Sequence, residues 1–410
     1  MRGTITLRKA IATHPRMMAA LAATVAGCLA LLMAFVGGLV GASTASAAST
    51  TYAVKILEGA GTPYGINDSG QVVGSYGCCG GVLHAYLYDE SATPKMRDLH
   101  TSTVFGSFSS ALDINASGQV VGDEDMPCGH HHAVLYSGGQ MQDLGGLGTE
   151  PCPISNAYGI NNSGQVVGRS DGTAFLYDES ATPKMRDLGR LPGGRSFSEA
   201  RDINSSGQIV GQARNADLED HAFLYSGGQM QDLGTLPDHN ESFATGINDS
   251  GAVVGWSGTS TFSVQRAFLY EESATPKMQD LGALGGTFSF ASDINSSGQV
   301  VGGAQTSSGA FHAFVYSGGQ MQDLNDLIPT DSGMELTSAN AINTSGQIVG
   351  EGRLRGVDGS VGNGFIFLAT PDGDGDGVGM PRTTAPKSPT PIRRMATATV
   401  WETPAIRPRS

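Results

Sequence analysis

Short apolar runs alternate with clusters of glycine, asparagine and serine along most of the chain, and one nine-residue phrase recurs seven times. The phrase reads Ile-Asn-x-Ser-Gly-Gln-Val-Val-Gly with small changes, and its asparagines are Asn67, Asn115, Asn161, Asn204, Asn248, Asn295 and Asn343. Consecutive asparagines stand 43 to 48 residues apart. A repeat period of this size is typical of solenoids and propellers.

Each of the first six repeats contains four runs of strand length, which in the fifth repeat cover residues 244–248, 252–256, 266–270 and 277–281. The Asn-x-Ser-Gly between the first two runs suits a hairpin turn, because asparagine and glycine tolerate unusual backbone dihedrals. The aromatic and aliphatic residues of the third run suit a surface packed between sheets. The pattern therefore predicts an all-β chain of four-stranded units.

The fourth run begins with Met-Arg-Asp-Leu or Met-Gln-Asp-Leu and occurs in only six of the seven repeats. An additional run at residues 51–57 precedes the first repeat. A ring can be closed by pairing both chain ends in one blade, whereas a linear solenoid has no reason to move one strand to its front. We therefore predict a seven-bladed β-propeller over residues 48–370, closed by an N-terminal strand.

The first 47 residues have the pattern of an export signal. Four basic residues precede an apolar stretch at 17–42, and Ala45-Ser46-Ala47 offers small residues for cleavage before Ala48. An uncleaved membrane anchor and lipidation at Cys28 are alternatives. All three predict that the body lies outside the cytoplasm, either secreted or anchored.

The body is strongly acidic, although both ends of the chain are basic. The formal net charge is −14, and the basic excess of four at residues 1–47 and five at 378–410 leaves −23 for residues 48–377. An acidic surface repels phosphate backbones, which argues against a nucleic-acid partner.

Residues 371–410 change character and predict an acidic linker followed by a proline-rich disordered tail. Asp372, Asp374 and Asp376 alternate with glycine, as at the start of a calcium loop. That alternative lacks the bidentate glutamate required at position twelve, where Thr383 stands.

The repeated phrases, followed by His-Ala-Phe at 221–223 and 312–314, resemble the HAF family of extracellular repeats. The resemblance covers about 320 residues and implies an exported repeat protein, without implying catalytic residues. Thr173, Arg266 and Gly364 replace the named histidine in three repeats, which favours a structural role for it.

One face of the predicted propeller varies between repeats. The loop that follows the phrase has four residues after Gly168 and thirteen after Gly350. Binding residues collect on variable loops of rigid scaffolds, so we expect any ligand site on this face. The candidate ligand-binding residues are Asp123, Asp125, His130, His131, Arg195, Glu199, His239 and Glu241.

The four cysteines that remain after signal removal also fall on this face, namely Cys78, Cys79, Cys128 and Cys152. Disulfides are expected in an exported protein, and four cysteines allow three pairings. Cys128 with Cys152 is favoured, because their loops adjoin. The alternative is a zinc site formed by these two cysteines with His130 and His131, helped by Asp123 and Asp125.

No acid, base or nucleophile recurs through the repeats, and the Gly-x-Ser-x-Gly at 168–172 lacks the strand–turn–helix context of a hydrolase. We therefore predict a non-enzymatic, monomeric binding or scaffolding protein that needs no cofactor and no membrane contact after cleavage. Its expected ligand is a glycan or a surface protein. The alternative is a secreted propeller enzyme that acts on polysaccharide through scattered channel residues.

Overall fold

The computed structural model describes residues 50–59, 61–78, 81–102, 106–148, 151–195, 197–261, 264–355 and 361–373. In these ranges it contains 28 β-strands and one 3₁₀ turn at Leu324–Asp326, so the predicted all-β class is confirmed. The described ranges contain no helix of the length and apolarity that a membrane crossing requires. The predicted signal at 1–47 and the chain beyond residue 373 lie outside the described residues.

The strands form seven antiparallel units of four, numbered here in chain order. Units 1 to 3 comprise β2 Thr62–Ile66, β3 Val72–Cys78, β4 Val82–Tyr88 and β5 Met96–Asp98; β6 Ser109–Ile114, β7 Val120–Asp125, β8 His131–Ser137 and β9 Gln140–Gly145; and β10 Ser155–Ile160, β11 Val166–Ser170, β12 Thr173–Tyr177 and β13 Met185–Asp187.

Units 4 to 6 comprise β14 Ser198–Ile203, β15 Ile209–Arg214, β16 Asp220–Ser226 and β17 Gln229–Asp232; β18 Glu241–Ile247, β19 Val253–Gly258, β20 Gln265–Tyr270 and β21 Met278–Asp280; and β22 Gly285–Ile294, β23 Val300–Thr306, β24 Phe311–Ser317 and β25 Gln320–Asp323. One parallel bridge between Gln265 and Phe288 joins units 5 and 6.

Unit 7 takes its fourth strand from the other end of the chain. It contains β26 Met334–Ile342, β27 Ile348–Arg355 and β28 Val361–Asp372, and β1 Thr51–Ile56 pairs with β28. The antiparallel register runs from Thr51 opposite Asp372 to Ile56 opposite Phe367. The predicted orphan strand therefore occupies the predicted vacancy, while β28 extends two residues past the expected domain boundary at residue 370.

Close packing explains the glycine that ends each phrase. At Gly168, an added Cβ would lie 1.9 Å from the carbonyl oxygen of Asn156 and 2.9 Å from the ring of Phe175. Both neighbours belong to the same unit, since Asn156 lies on its first strand and the buried Phe175 on its third. Only a residue without a side chain lets the backbone and the aromatic ring approach this closely.

The asparagine of each phrase holds its own turn together. In unit 4, Asn204 Oδ1 accepts hydrogen bonds from the backbone N–H groups of Ser206 and Gln208, and Asn204 Nδ2 donates to Gln208 Oε1 at 2.8 Å. The buried side chain thereby closes the hairpin turn that the sequence predicts.

The same asparagines also link each unit to the next. Each Nδ2 donates to the backbone carbonyl oxygen of the following asparagine at 3.1 to 3.2 Å, and the series returns from Asn343 to Asn67. We call these seven residues the asparagine circuit. Each of its members therefore makes contacts both within a unit and between units.

The histidines of the third strands have a local structural partner. The Nδ1 atoms of His84, His132, His221 and His312 lie 2.5 to 3.1 Å from the aspartates of the fourth strands, Asp98, Asp143, Asp232 and Asp323 respectively. These pairs tie the outer strands of four units together. The contacts support the structural role expected for the histidine.

Candidate functional site

A cavity of about 130 Å³ is lined by residues from the first strands of all seven units. Its polar lining residues are Tyr64, Asp113, Tyr158, Arg201, Asp202, Thr245, Ser292, Asp293 and Asn340. In each unit, the residues that line the cavity stand shortly before the asparagine of the circuit in sequence. All seven first strands therefore contribute to one polar enclosure.

Three aspartates of this cavity connect neighbouring units. Asp113 accepts a hydrogen bond from its own neighbour Ile114 and a second, at 2.8 Å, from the backbone N–H of Ile160 in unit 3. Asp202 bonds in the same way to Ile247 of unit 5, and Asp293 to Ile342 of unit 7. The carboxylates therefore join units 2 to 3, 4 to 5 and 6 to 7.

Glycine occupies the equivalent position in the alternate units, at Gly65, Gly159 and Gly246. A Cβ at these glycines would lie 3.3, 3.1 and 3.4 Å from the Cα atoms of Asp113, Asp202 and Asp293 respectively. A side chain there would crowd the aspartate of the next unit. The close approach is tightest at Gly159, and unit 7 has Ala341 at the equivalent position.

Burial governs the ionisation of the three carboxyls. Burial, followed by the charge of nearby Asp202, raises the pKa of Asp113 to about 7. Burial likewise raises the pKa of Asp202 to about 6 and that of Asp293 to about 7. Backbone N–H groups partly offset the rise in each case. The cavity therefore gains or loses protons near neutral pH.

Closer to the variable loops lies a second set of paired positions, which we call the variable layer. It consists of the residue after the phrase and its partner on the first strand: Ser75 with Thr62, Asp123 with Ser110, Arg169 with Asn156, Gln212 with Glu199, Trp256 with Phe243, Gly303 with Phe290, and Glu351 with Ser338. Directly paired residues of antiparallel strands project from the same face of a sheet. The residue after the phrase is of a different type in every unit, although the phrase itself hardly changes.

The charged part of the variable layer centres on Glu199, which is 2% exposed. Its Oε2 lies 3.0 Å from Arg169 Nη1, and its Oε1 lies 2.6 Å from Arg201 Nη2. The Arg201 guanidinium also lies 4.4 Å from the ring centre of Tyr158. Two cations therefore share one buried carboxylate.

Gln212 stands directly opposite Glu199 in the strand register and is 6% exposed. Its side-chain oxygen has no hydrogen-bond partner among the described residues. Leaving a buried acceptor unpaired costs roughly 1–3 kcal/mol. Such an atom marks a position where a donor from a ligand would be stabilised.

Asp123 extends the polar region into unit 2. Ser110 Oγ donates a hydrogen bond to its carboxylate, and the Asn156 side chain forms another. Burial raises the pKa of Asp123, whereas the hydrogen bond from Ser110 and the charge of His131 lower it. Units 2 to 4 thus present a continuous polar sector.

Aromatic residues occupy the variable layer of the next units. The rings of Phe243 and Trp256 are stacked, with centres 4.9 Å apart and planes 9° apart. In unit 6, the ring centres of Phe290 and Phe311 lie 6.5 Å apart, and Phe311 is 40% exposed. Because β15 of unit 4 packs against β18 of unit 5, the aromatic sector adjoins the polar sector.

The predicted residues of the second unit's loop are held by local partners. His131 Nδ1 lies 2.5 Å from Asp125 Oδ1, and the ring of His131 meets Phe108 edge-on at 5.6 Å. His130 is exposed, and its Nδ1 lies 2.9 Å from the backbone carbonyl oxygen of Cys152. These residues flank the variable layer rather than forming part of it.

Three further predicted residues lie in separate surroundings. Arg195 is exposed in the loop before β14, and His239 Nδ1 lies 3.1 Å from Ser257 Oγ. Glu241 begins β18, and burial followed by the charges of Asp220 and Glu219 raises its pKa. Of the predicted ligand-binding residues, only Asp123 and Glu199 belong to the variable layer.

Cys128 and Cys152 form a disulfide with their Cα atoms 6.1 Å apart, the pairing that the adjoining loops favour. Cys78 Sγ lies 3.2 Å from His84 Nε2, while Cys79 lies outside the described residues.

Of the alternative metal set, His130 Nδ1 lies against the backbone carbonyl oxygen of Cys152 and His131 Nδ1 lies against Asp125 Oδ1. Successive side chains of a strand project from opposite faces, so His131 and His132 point to different sides of β8. His132 is the histidine that faces the sulfurs of Cys128 and Cys152.

The aspartate-rich run does not begin in a linker. Asp372 is the last residue of β28 and is 4% exposed, and its carbonyl oxygen accepts a hydrogen bond from Thr51 Oγ1 at 2.8 Å. Asp374 and Asp376, the other residues of the calcium alternative, lie outside the described residues.

Five residues of the site were not predicted from the sequence, namely Tyr158, Arg169, Arg201, Gln212 and Trp256. Three of them shared a recognisable signal, since Arg169, Gln212 and Trp256 each directly follow the last glycine of a phrase. That position varies completely among otherwise similar repeats. Tyr158 and Arg201 gave no comparable signal, because their importance depends on contact between different units.

A family model described as a protein of unknown function, DUF3466, matches residues 229–378. No curated protein sequence matches the chain.

Among solved structures, the extracellular domain of a one-component system from B. thetaiotaomicron is 11% identical, with a TM-score of 0.45; the match covers 78% of this chain and 39% of that one. This chain thus spans about two fifths of the length of the first structures it matches.

YCF48 bound to D1 peptide is 12% identical, with a TM-score of 0.39 and coverage of 78% and 96% respectively. TolB from Acinetobacter baumannii is 14% identical, with a TM-score of 0.38 and coverage of 74% and 80%.

Proposed function

We propose that the seven units form a closed seven-bladed β-propeller whose ring is completed by β1. Three observations support this architecture. The asparagine circuit returns to its first member, one cavity is lined by every first strand, and β1 pairs along its full length with β28. Closure of this kind removes the exposed sheet edges that an open array would carry.

We propose further that the protein is an exported, non-enzymatic binding protein whose ligand is a glycan. The variable layer is its binding site. Planar polar side chains in units 2 to 4 can exchange several hydrogen bonds with sugar hydroxyls, and the aromatic sector can cover an apolar sugar face.

The observation that carries the proposal is the unpaired, buried oxygen of Gln212, in the unit of the polar sector that adjoins the aromatic sector. It requires a donor, and a hydroxyl can supply one while accepting a hydrogen bond in return. A surface protein is the other predicted ligand. The exposed aromatic and charged groups would serve such a partner too, so the binding test includes it.

Binding of the secreted chain to a glycan and cell-wall polysaccharide array tests the proposal. Gln212→Leu removes the acceptor and should reduce binding of the recognised glycan at least about tenfold, since one well-placed buried hydrogen bond contributes about 1.4 kcal/mol. Gln231→Leu is the matched control, because Gln231 is exposed on the fourth strand of the same unit. Binding only to proteins, or equal loss in both variants, would contradict the glycan assignment.

The alternative of a secreted polysaccharide-acting enzyme has one supporting observation. Burial raises the pKa of Asp123, as it does for general acids of glycosidases. Incubation of the chain with each bound polysaccharide separates the two functions. Release of reducing ends that disappears in Asp123→Asn would establish catalysis, whereas an unchanged polymer supports binding alone.

A further inference from the structure

The buried histidine of unit 2 faces a disulfide. His132 Nε2 lies 3.6 Å from Cys128 Sγ and 3.8 Å from Cys152 Sγ. On the other side of the ring, Nδ1 lies 2.9 Å from Asp143 Oδ2. The three atoms that could ligate a metal therefore lie together, and all are within 4.8 Å of one another.

The Asp143 carboxylate determines which nitrogen is available. A carboxylate can only accept, so it holds the proton of the neutral imidazole on Nδ1 and leaves the Nε2 lone pair directed at the sulfurs. A disulfide offers no hydrogen to that lone pair. Metal-binding histidines commonly have this arrangement, with a carboxylate behind the ring.

The other histidine–aspartate pairs show what is particular to unit 2. The Nε2 atom of His221 lies 3.3 Å from the Asn215 side-chain nitrogen, and the Nε2 atom of His312 lies 3.8 Å from Glu335 Oε1. In unit 1, Cys78 Sγ lies 3.2 Å from His84 Nε2. Only in unit 2 do the described residues bring two sulfurs to one imidazole.

We propose that reduction of the Cys128–Cys152 disulfide creates a Zn²⁺ site formed by Cys128, Cys152 and His132. A dithiol reductant supplies two electrons and two protons, the sulfur–sulfur bond breaks, and the reductant becomes a disulfide. Binding of Zn²⁺ then displaces one proton from each thiol to solvent. Zinc takes thiolate sulfur at about 2.3 Å and imidazole nitrogen at about 2.0 Å, with water as the fourth ligand.

Access and geometry suit this reaction. Cys128 is exposed, so a reductant can reach the disulfide, whereas His132 is buried and held in place. Tetrahedral coordination requires the sulfurs to separate to roughly 3.8 Å. Both cysteines lie in loops between strands, where such a movement disturbs no strand pairing. The site is independent of the proposed glycan-binding function.

The test uses the secreted chain carrying Cys78→Ser and Cys79→Ser, which removes competing thiols. After reduction by a phosphine without oxygen, titration with Co²⁺ should give one equivalent bound. The expected spectrum combines thiolate-to-cobalt charge transfer with tetrahedral visible bands, and Zn²⁺ should abolish both. The oxidised protein should bind less than about one tenth of an equivalent under these conditions.

His132→Asn should weaken Co²⁺ binding at least about tenfold, and Asp143→Asn about 10- to 100-fold. His130→Asn and His131→Asn are matched controls and should bind as the parent does. The melting temperature of each oxidised variant verifies that it folds. As a second measurement, bound Zn²⁺ should protect Cys128 and Cys152 of the reduced protein from an alkylating reagent. Absence of binding after reduction, or unchanged affinity in His132→Asn, would overturn the proposal.

Discussion

The side-chain amide of Asn343 donates to the backbone carbonyl of Asn67 at 3.1 Å, although the two residues are 276 positions apart. The bond repeats the contact made between each pair of consecutive units. A linear array would leave this last donor without its acceptor. The first and last units thus share the hydrogen bond that links consecutive units.

Asn204→Ala should lower the free energy of unfolding by about 2–4 kcal/mol. The variant loses two donated and three accepted hydrogen bonds, each with a net contribution of about 0.5–1.5 kcal/mol, from a buried position. Asn248→Ala is the comparison, because Ala252 replaces the glutamine that would accept one of these bonds. Denaturant unfolding should show the smaller loss for Asn248→Ala; equal and negligible losses would contradict the role of the circuit.

Gly159→Ala should destabilise the protein by about 1–3 kcal/mol, because its Cβ would lie 2.9 Å from the Arg201 carbonyl oxygen and 3.1 Å from Asp202 Cα. Gly77→Ala is the control, since no atom lies within 4 Å of a Cβ there. The melting temperatures of both variants provide the measurement. A control that loses as much as Gly159→Ala would refute the steric explanation.

Stability should increase as the pH falls from about 8 to about 5. Burial raises the pKa values of Asp113, Asp202 and Asp293 to about 7, 6 and 7, so the folded chain binds more protons than the unfolded chain in this window. Stability gained by protonation is complete below the unfolded pKa and is lost as the pH rises through the folded values.

Carboxyls with a lowered pKa, such as that of Glu90, have the opposite effect on stability, and this effect occurs at lower pH. Hydrogen bonds from Lys55, Lys95 and Tyr88 lower the pKa of Glu90 to about 2, so its contribution is lost only as the medium becomes strongly acidic. Melting temperatures measured at constant ionic strength test the expected slope. A melting temperature that rises steadily from pH 5 to pH 8 would show that the cavity aspartates are ionised throughout.

The strand order followed from sequence because each repeat carries its own turn signal and its own apolar runs. The position of β1 in unit 7 also followed from the sequence, because the seventh repeat lacks a fourth run and an additional run at residues 51–57 precedes the first repeat. The site was predicted less completely. Glu199 and Asp123 were found as polar residues near variable loops, whereas the contact of Arg201 with Tyr158 depends on how two units pack. Gln212 has no unusual chemistry until burial leaves its oxygen unpaired.

Removal of β1 tests the closed ring. Tyr52 of β1 is 1% exposed and belongs to the apolar core that contains Leu336 and Phe367 of unit 7. Deletion of residues 51–57 from the secreted chain therefore removes a strand ladder and part of a core, and it bares an edge of β28. In a closed ring the loss should spread to every unit, whereas an open array would only fray at one end.

Melting temperature and sedimentation should be measured for the deleted and parent chains side by side. A closed propeller predicts a fall in melting temperature of well over about 10 °C, because the lost contacts approach the roughly 5–15 kcal/mol net stability of a domain, together with association through the bare edge. A deleted chain that stays monomeric and melts within a few degrees of the parent would contradict closure.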